Sequence, residues 1–130
     1  MEKDRERKKI LIVEDDKKIS MALTVRLKSE GYEVVTAYDG VQGVSFAVKH
    51  EPDLILLDIS MPAGNGLMVA ERLLNLASTA NIPVIIMTAS KKPELTDKAV
   101  SLGVKGYFEK PFDTEQLIEA IERNLGEPVL

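Results

Sequence analysis

Leu54-Ile55-Leu56-Leu57-Asp58-Ile59 is the stretch whose reading decides the fold. Apart from Asp58 it is aliphatic throughout, with none of the polar alternation that marks a strand wet on one face. A strand of this kind is covered on both sides, as in a parallel sheet sandwiched between helices. Val84-Ile85-Ile86-Met87-Thr88 reads the same way. Working outward, shorter apolar runs occur at 10–13 and 34–37, with a weaker one at 106–109. The predicted strands are therefore 10–13, 34–37, 54–59, 84–88 and 106–109.

The segments between them carry helical spacing. Ile19, Ala22, Leu23 and Leu27 line one face of a first helix, with Gly31 just past its end. Val41, Val44 and Val48 mark a second, which Gly43 and Ser45 weaken, so this element is expected to be the mobile one. Leu67, Ala70, Leu73 and Leu74 give a third. Leu95, Ala99, Val100 and Leu102 give a fourth, opened by Pro93 and closed by Gly103. Leu117, Ile118, Ile121 and Leu125 give the last, with Asp113 or Thr114 as N-cap and Gly126 as stop. Five βα units in succession predict an α/β fold, a doubly wound parallel sheet with helices on both faces.

Composition narrows the class further. The 130 residues carry 17 Lys+Arg against 21 Asp+Glu, a net charge of −4, and suit a single domain able to bury its own core. Cysteine is absent, which excludes a disulfide framework, a thiolate zinc site and a cysteine nucleophile, and is consistent with a reducing compartment. No apolar run approaches the ~20 residues of a membrane helix. A mildly acidic chain lacks the concentrated positive charge of a direct DNA binder. Residues 1–9, with three acidic and five basic side chains and no apolar run behind them, are expected to form a flexible charged tail rather than a signal peptide. The folded domain is expected over 10–126, with 127–130 as a C-terminal tail. The expected setting is the cytoplasm.

In an open α/β sheet, ligands gather at the carboxyl ends of the strands. The first predicted strand runs into Glu14-Asp15-Asp16, the third reaches Asp58 and then Ser60, the fourth ends at Thr88, and Lys110-Pro111 follows the fifth. Asp58 closes a run of Leu and Ile, where a carboxylate is costly unless a cation or hydrogen bonds compensate it. Glu14 and Asp15 on the neighbouring strand add repulsion. Three clustered carboxylates without histidine or cysteine suit a hard divalent cation, magnesium above all, and Lys110 could supply the remaining positive charge by pairing with Asp58. Taken singly, each residue has an ordinary reading, and Asp16 alone is best read as a helix cap. Their convergence on one rim is what points to a site.

The segments ILIVEDD, LILLDISMPAGNG, VIIMTAS and GYFEKPF resemble the receiver domain of two-component response regulators, similar to the single-domain regulators of chemotaxis and sporulation. The likeness runs from Ile10 to about Leu125, and the motifs occur in the family's order, each ending a predicted strand. It implies a flavodoxin-like sheet of strand order 2-1-3-4-5. It also implies that Asp58 accepts a phosphoryl group from a phosphohistidine of a sensor histidine kinase or phosphotransfer protein. Magnesium is then held by Glu14, Asp15, Asp58 and the backbone carbonyl of Ser60. The run of three acids leaves Asp15-Asp16 as an alternative pair, but apolar character ends at Val13, which favours Glu14-Asp15. By the same resemblance, Thr88 and Lys110 contact the phosphoryl group, and Pro111 follows a cis peptide that turns Lys110 inward. Tyr107 with Thr88 forms the switch, and Gly66 fits the tight loop after the acceptor strand.

The implied chemistry is physically coherent. Phosphoryl transfer is catalysed by positioning groups and neutralising charge, and Asp58 would be the nucleophile. Added charge beside Thr88 would draw that side chain inward and let Tyr107 rotate, shifting the population of the face formed by the fourth helix, fifth strand and fifth helix. That face would meet an output partner, or an output domain after Leu130 in a longer chain. A monomer is expected, with phosphorylation-dependent dimerisation as the alternative. The small Ser60 leaves water access to Asp58, so the phosphoryl lifetime is expected to be ordinary.

Other readings fare worse. A haloacid-dehalogenase-like phosphatase also uses a strand-end Asp, a lysine and magnesium, but needs a second carboxylate where Ser60 stands. A flavodoxin-like cofactor binder needs a phosphate loop where Glu14-Asp15-Asp16 would repel phosphate. A receiver-like interaction module working without phosphorylation would have no need of the acceptor, acids, Thr and Lys, all of which are present. His50, the only histidine, is expected to be exposed and a poor phosphotransfer residue. The methionines are expected to fill core or loops.

Overall fold

A computed structural model describes residues 7–60 and 66–126. The chain alternates strand and helix: β1 (Lys9–Val13), α1 (Lys17–Ser29), β2 (Glu33–Ala37), α2 (Gly40–His50), β3 (Leu54–Asp58), α3 (Gly66–Asn75), β4 (Val84–Thr88), α4 (Pro93–Leu102), β5 (Gly106–Glu109) and α5 (Thr114–Leu125). All strand pairings are parallel and the order is β2-β1-β3-β4-β5, the doubly wound arrangement. Among the described residues no helix is long and apolar enough to cross a membrane.

Every residue of β3 and β4 is buried, as their unbroken apolar sequence requires. The two faces divide by parity. Ile10, Ile12, Leu54, Leu56, Ile85 and Met87 pack with Leu23 and Leu27 of α1 and Leu117, Ile118 and Ile121 of α5. Leu11, Val13, Ile55, Leu57, Val84 and Ile86 pack with Ala47, Ala70, Leu73 and Ala99 of α2, α3 and α4. Each buried Leu, Ile, Val or Met among them contributes about 1.5–3 kcal/mol relative to leaving it in water.

Local signals set the ends. Asp16 and Asp113 cap α1 and α5, each accepting two backbone N–H groups of the first turn, and Asp39 caps α2 by accepting the N–H of Gln42. Gly31 follows the C-cap of α1 at φ 98°, a conformation that suits glycine.

Several boundaries differ from expectation. β1 begins at Lys9, a residue assigned to the tail, because Asp53 Oδ2 accepts its N–H at 2.8 Å and it pairs with Glu33. Residues 1–6 and 127–130 of the expected tails lie outside the described residues. Strand β3 stops at Asp58, one residue early: Ile59 still donates its N–H to Met87 O of β4, but the backbone bends at that residue. Gly43 is a packing residue: a Cβ there would stand 2.9 Å from Val13 Cγ1, so the glycine lets α2 lie close on β1. His50 is half-buried, edge-on to Phe46, rather than exposed. Met87 is core as expected, but Met21 and Met68 are exposed on α1 and α3.

Candidate functional site

The register of the sheet brings the strand ends level. Asp58 pairs with Met87 and Thr88 with Glu109, so β3, β4 and β5 finish on the same rim as β1. Glu14 leaves β1 while donating its N–H to Ala37 O at 3.0 Å, and Lys110 leaves β5 while donating its N–H to Thr88 O at 2.7 Å. Glu14, Asp58 and Thr88 are buried, while Asp15 and Ser60 are exposed at the mouth.

A carboxylate oxygen from each of Glu14, Asp15 and Asp58 falls within 4.8 Å of the others. Asp16 is not in this group, and its carboxylate accepts the N–H groups of Lys18 and Ile19. Lys110 Nζ lies 2.6 Å from Glu14 Oε1 and 3.1 Å from Asp58 Oδ2. The Lys110–Pro111 peptide is cis. Asp58 Oδ1 accepts both the N–H of Ser60 at 2.8 Å and its hydroxyl at 2.5 Å. Ser60 Oγ in turn accepts the N–H of Ala89 at 3.3 Å, linking the loops after β3 and β4.

These contacts set the protonation states. Burial pushes the Glu14 carboxyl up to about 7, and its hydrogen bond with Asp58 adds to this. Burial acts on Asp58 in the same sense, but hydrogen bonds from Glu14 and Ser60 and the charge of Lys110 outweigh it and hold the carboxyl below its usual range. Burial disfavours the Lys110 ammonium, yet its bonds to the two carboxylates keep its pKa above the ordinary lysine value.

Thr88 Oγ1 accepts the N–H of Ser90 at 3.0 Å. Tyr107 lies opposite Ile86 in the sheet, half-buried, and its hydroxyl is buried with no hydrogen-bond partner among the described residues. Gly66 opens α3 against Ile59, where a Cβ would come within 2.2 Å of Ile59 Cα. The rest of the expected loop, residues 61–65, lies outside the described residues. The hydrogen bonding of the Ser60 hydroxyl is the feature that sequence reasoning missed, since that side chain was read only for its small size and the access it leaves to water. A short hydroxyl side chain two positions after a buried carboxylate was the available signal.

The family model for the response regulator receiver domain matches residues 10–122. The chain belongs to that family. It is 38% identical over 116 residues to the transcriptional regulatory protein PdtaR of Mycobacterium tuberculosis, covering 88% of this chain and 55% of PdtaR. It spans about half the length of the curated relatives it matches. Among solved structures, a CheY-like response regulator receiver domain protein of Methanospirillum hungatei superposes with a TM-score of 0.86 at 29% identity, over 92% of this chain and 94% of that one. The receiver domain of the Pseudomonas aeruginosa sensor histidine kinase PA1611 superposes with a TM-score of 0.82 at 27% identity, over 93% and 99%, and holds a magnesium ion coordinated in its active site cleft. The donor set here fits such an ion: three carboxylates at close range, with no nitrogen or sulfur ligand among them.

Proposed function

We propose that this receiver domain, spanning 10–126, is a cytoplasmic signalling switch that takes a phosphoryl group onto Asp58 from a phosphohistidine of a sensor kinase or phosphotransfer protein. The observation that carries the reading is the state of Asp58. It is a carboxyl held below its usual pKa range, 2% exposed, at the end of an apolar strand, with Lys110 on one oxygen and the acids Glu14 and Asp15 alongside. A carboxylate oxygen attacks phosphorus, the P–N bond of the donor breaks, and the imidazole leaves with the electron pair. Glu14, Asp15, Asp58 and the Ser60 carbonyl would hold magnesium, which when bound supplies positive charge to the phosphoryl oxygens. Lys110 and the Thr88 hydroxyl contact the same oxygens from the protein side.

Switching follows from that contact. A phosphoryl group adds about −1.5 to −2 charges beside Thr88. Once Thr88 turns toward it, the unpartnered hydroxyl of Tyr107 is free to move, and the α4-β5-α5 face changes shape for an output partner or domain. The chain catalyses only its own phosphorylation and dephosphorylation. Intact-protein mass after incubation with acetyl phosphate, with and without magnesium, tests the reading. A magnesium-dependent gain of one phosphoryl group, absent from Asp58→Ala, is expected. No gain in a folded protein would overturn it in favour of an interaction module that works without phosphorylation.

A further inference from the structure

We propose that a cleft at the end of the sheet opposite Asp58 is a binding site for a small organic acid, an apolar body carrying one anionic group. The cleft has a volume of about 340 Å³ and lies where the loop between α3 and β4 meets the end of α4 and the turn into β5. Pockets that take small molecules run from about 300 to 1,000 Å³, so this one suits a body of one or two rings. It opens beside Val84, the first residue of β4, whereas Thr88 at the far end of that strand borders the acidic site. Successive residues rise ~3.3 Å along a strand, which sets the two places about 13 Å apart.

The lining sets the chemistry. Leu74, Ile82, Pro83 and Leu102 form apolar walls, and Asn81 and Lys105 stand at the rim. The backbone groups around them are already paired. Lys105 donates its N–H to Val84 O at 2.8 Å, Ile82 donates to Thr79 O at 3.0 Å, and Pro83 O accepts from Ile55 at 3.0 Å. A ligand therefore gains from these walls by covering apolar surface. Lys105 is the only charged residue of the lining, and its ammonium has no hydrogen-bond or ion-pair partner among the described residues. No charged residue occurs between Arg72 and Lys91, so the loop on that side brings no carboxylate to answer it. An anionic group on the ligand does. Inorganic anions gain little here, because α4 ends at Gly103 and the carbonyl end of a helix disfavours negative charge. Affinity comes from the apolar body, and Lys105 fixes which way round it lies.

Occupancy acts on α4. That helix buries one residue, Ala99, whereas α5 buries four. A body lying against Leu102 holds the last turn of this weakly anchored helix, and so biases the face assigned above to output without touching Asp58. Binding itself does not depend on the phosphoacceptor reading.

The experiment titrates the chain with anilinonaphthalene sulfonate, an aromatic anion, and follows dye fluorescence and backbone amide shifts by NMR. Saturable one-to-one binding is expected, with the shifted amides clustered at Leu74, Asn81, Ile82, Leu102 and Lys105. Lys105→Glu is expected to weaken it on the order of fivefold. Lys98→Glu, the same charge change on an exposed residue of α4 outside the cleft, should leave affinity within about twofold of wild type. Excess inorganic phosphate should not displace the dye, and amide hydrogen exchange across α4 should slow in the bound protein. Absence of saturable binding, shifts centred on the acidic rim, displacement by phosphate, or equal affinity in Lys105→Glu and wild type overturns the site. Exchange in α4 that stays unchanged on binding overturns its link to that helix.

Discussion

Lys110 Nζ lies closer to Glu14 Oε1, at 2.6 Å, than to Asp58 Oδ2, at 3.1 Å. The lysine thus bridges two buried carboxylates from different strands, and its own side chain is 15% exposed. Removing one member of a buried ion pair leaves an uncompensated charge, which costs 3–5 kcal/mol where burial is complete. Here the partial exposure of Lys110 and the proton available to Glu14 soften that cost. Lys110→Met is expected to lose about 2 kcal/mol in urea unfolding with chelator present. Magnesium should restore more stability to the variant than it adds to wild type. Equal stability of the two proteins in chelator would show that the bridge contributes nothing to the fold.

Two buried glycines should respond very differently to alanine. At Gly66 a Cβ would meet backbone, 2.2 Å from Ile59 Cα and 2.6 Å from Ile59 O, and backbone cannot swing aside. Gly66→Ala is expected to cost more than about 3 kcal/mol and to disturb the turn that follows Asp58. At Gly43 the obstacle is a side chain, Val13 Cγ1 at 2.9 Å and Cγ2 at 3.0 Å. There a shift of Val13 costs about 1–2 kcal/mol, offset by roughly 1 kcal/mol from the better helix propensity of alanine. Thermal unfolding of the two variants should show a large drop for Gly66→Ala and a small one for Gly43→Ala. The reverse order would contradict the packing described.

Much of this was legible in the chain because the signals were local. The apolar runs of β3 and β4 fixed a two-sided sheet, and Asp16, Asp113, Pro93 and Gly103 marked helix ends within a turn of themselves. Residues that depend on distant partners were not legible. Gly43 read as a weak point in a helix because its reason, Val13, sits in another strand. Lys9 read as tail because the Asp53 carboxylate that receives its N–H lies far along the sequence. His50 read as exposed because Phe46 gave no sign that it would present its ring. The acids of the site were found by type and position, whereas the hydroxyl of Ser60 depended on how one short side chain folds back on Asp58.

Tyr32 offers a test of stability against pH that leaves the site untouched. It is 2% exposed in the core beside α1 and α5, and its hydroxyl has no hydrogen-bond partner among the described residues. Burial, then the nearby charges of Glu122 and Glu30, push its pKa from 10.0 up to about 12. The folded chain therefore holds the phenolic proton more tightly than the unfolded chain does. That contribution to stability is whole below the unfolded value of 10.0 and is lost as pH rises toward the folded value of about 12. Tyr32→Phe removes both the titration and an unpaired buried oxygen. It should match or exceed wild type by up to about 1 kcal/mol at neutral pH. Above pH 10 the variant's advantage should widen as the wild type alone pays for keeping this proton, which urea unfolding at a series of alkaline pH values would measure. A difference between the two proteins that stays constant across that series would mean that Tyr32 ionises as freely folded as unfolded.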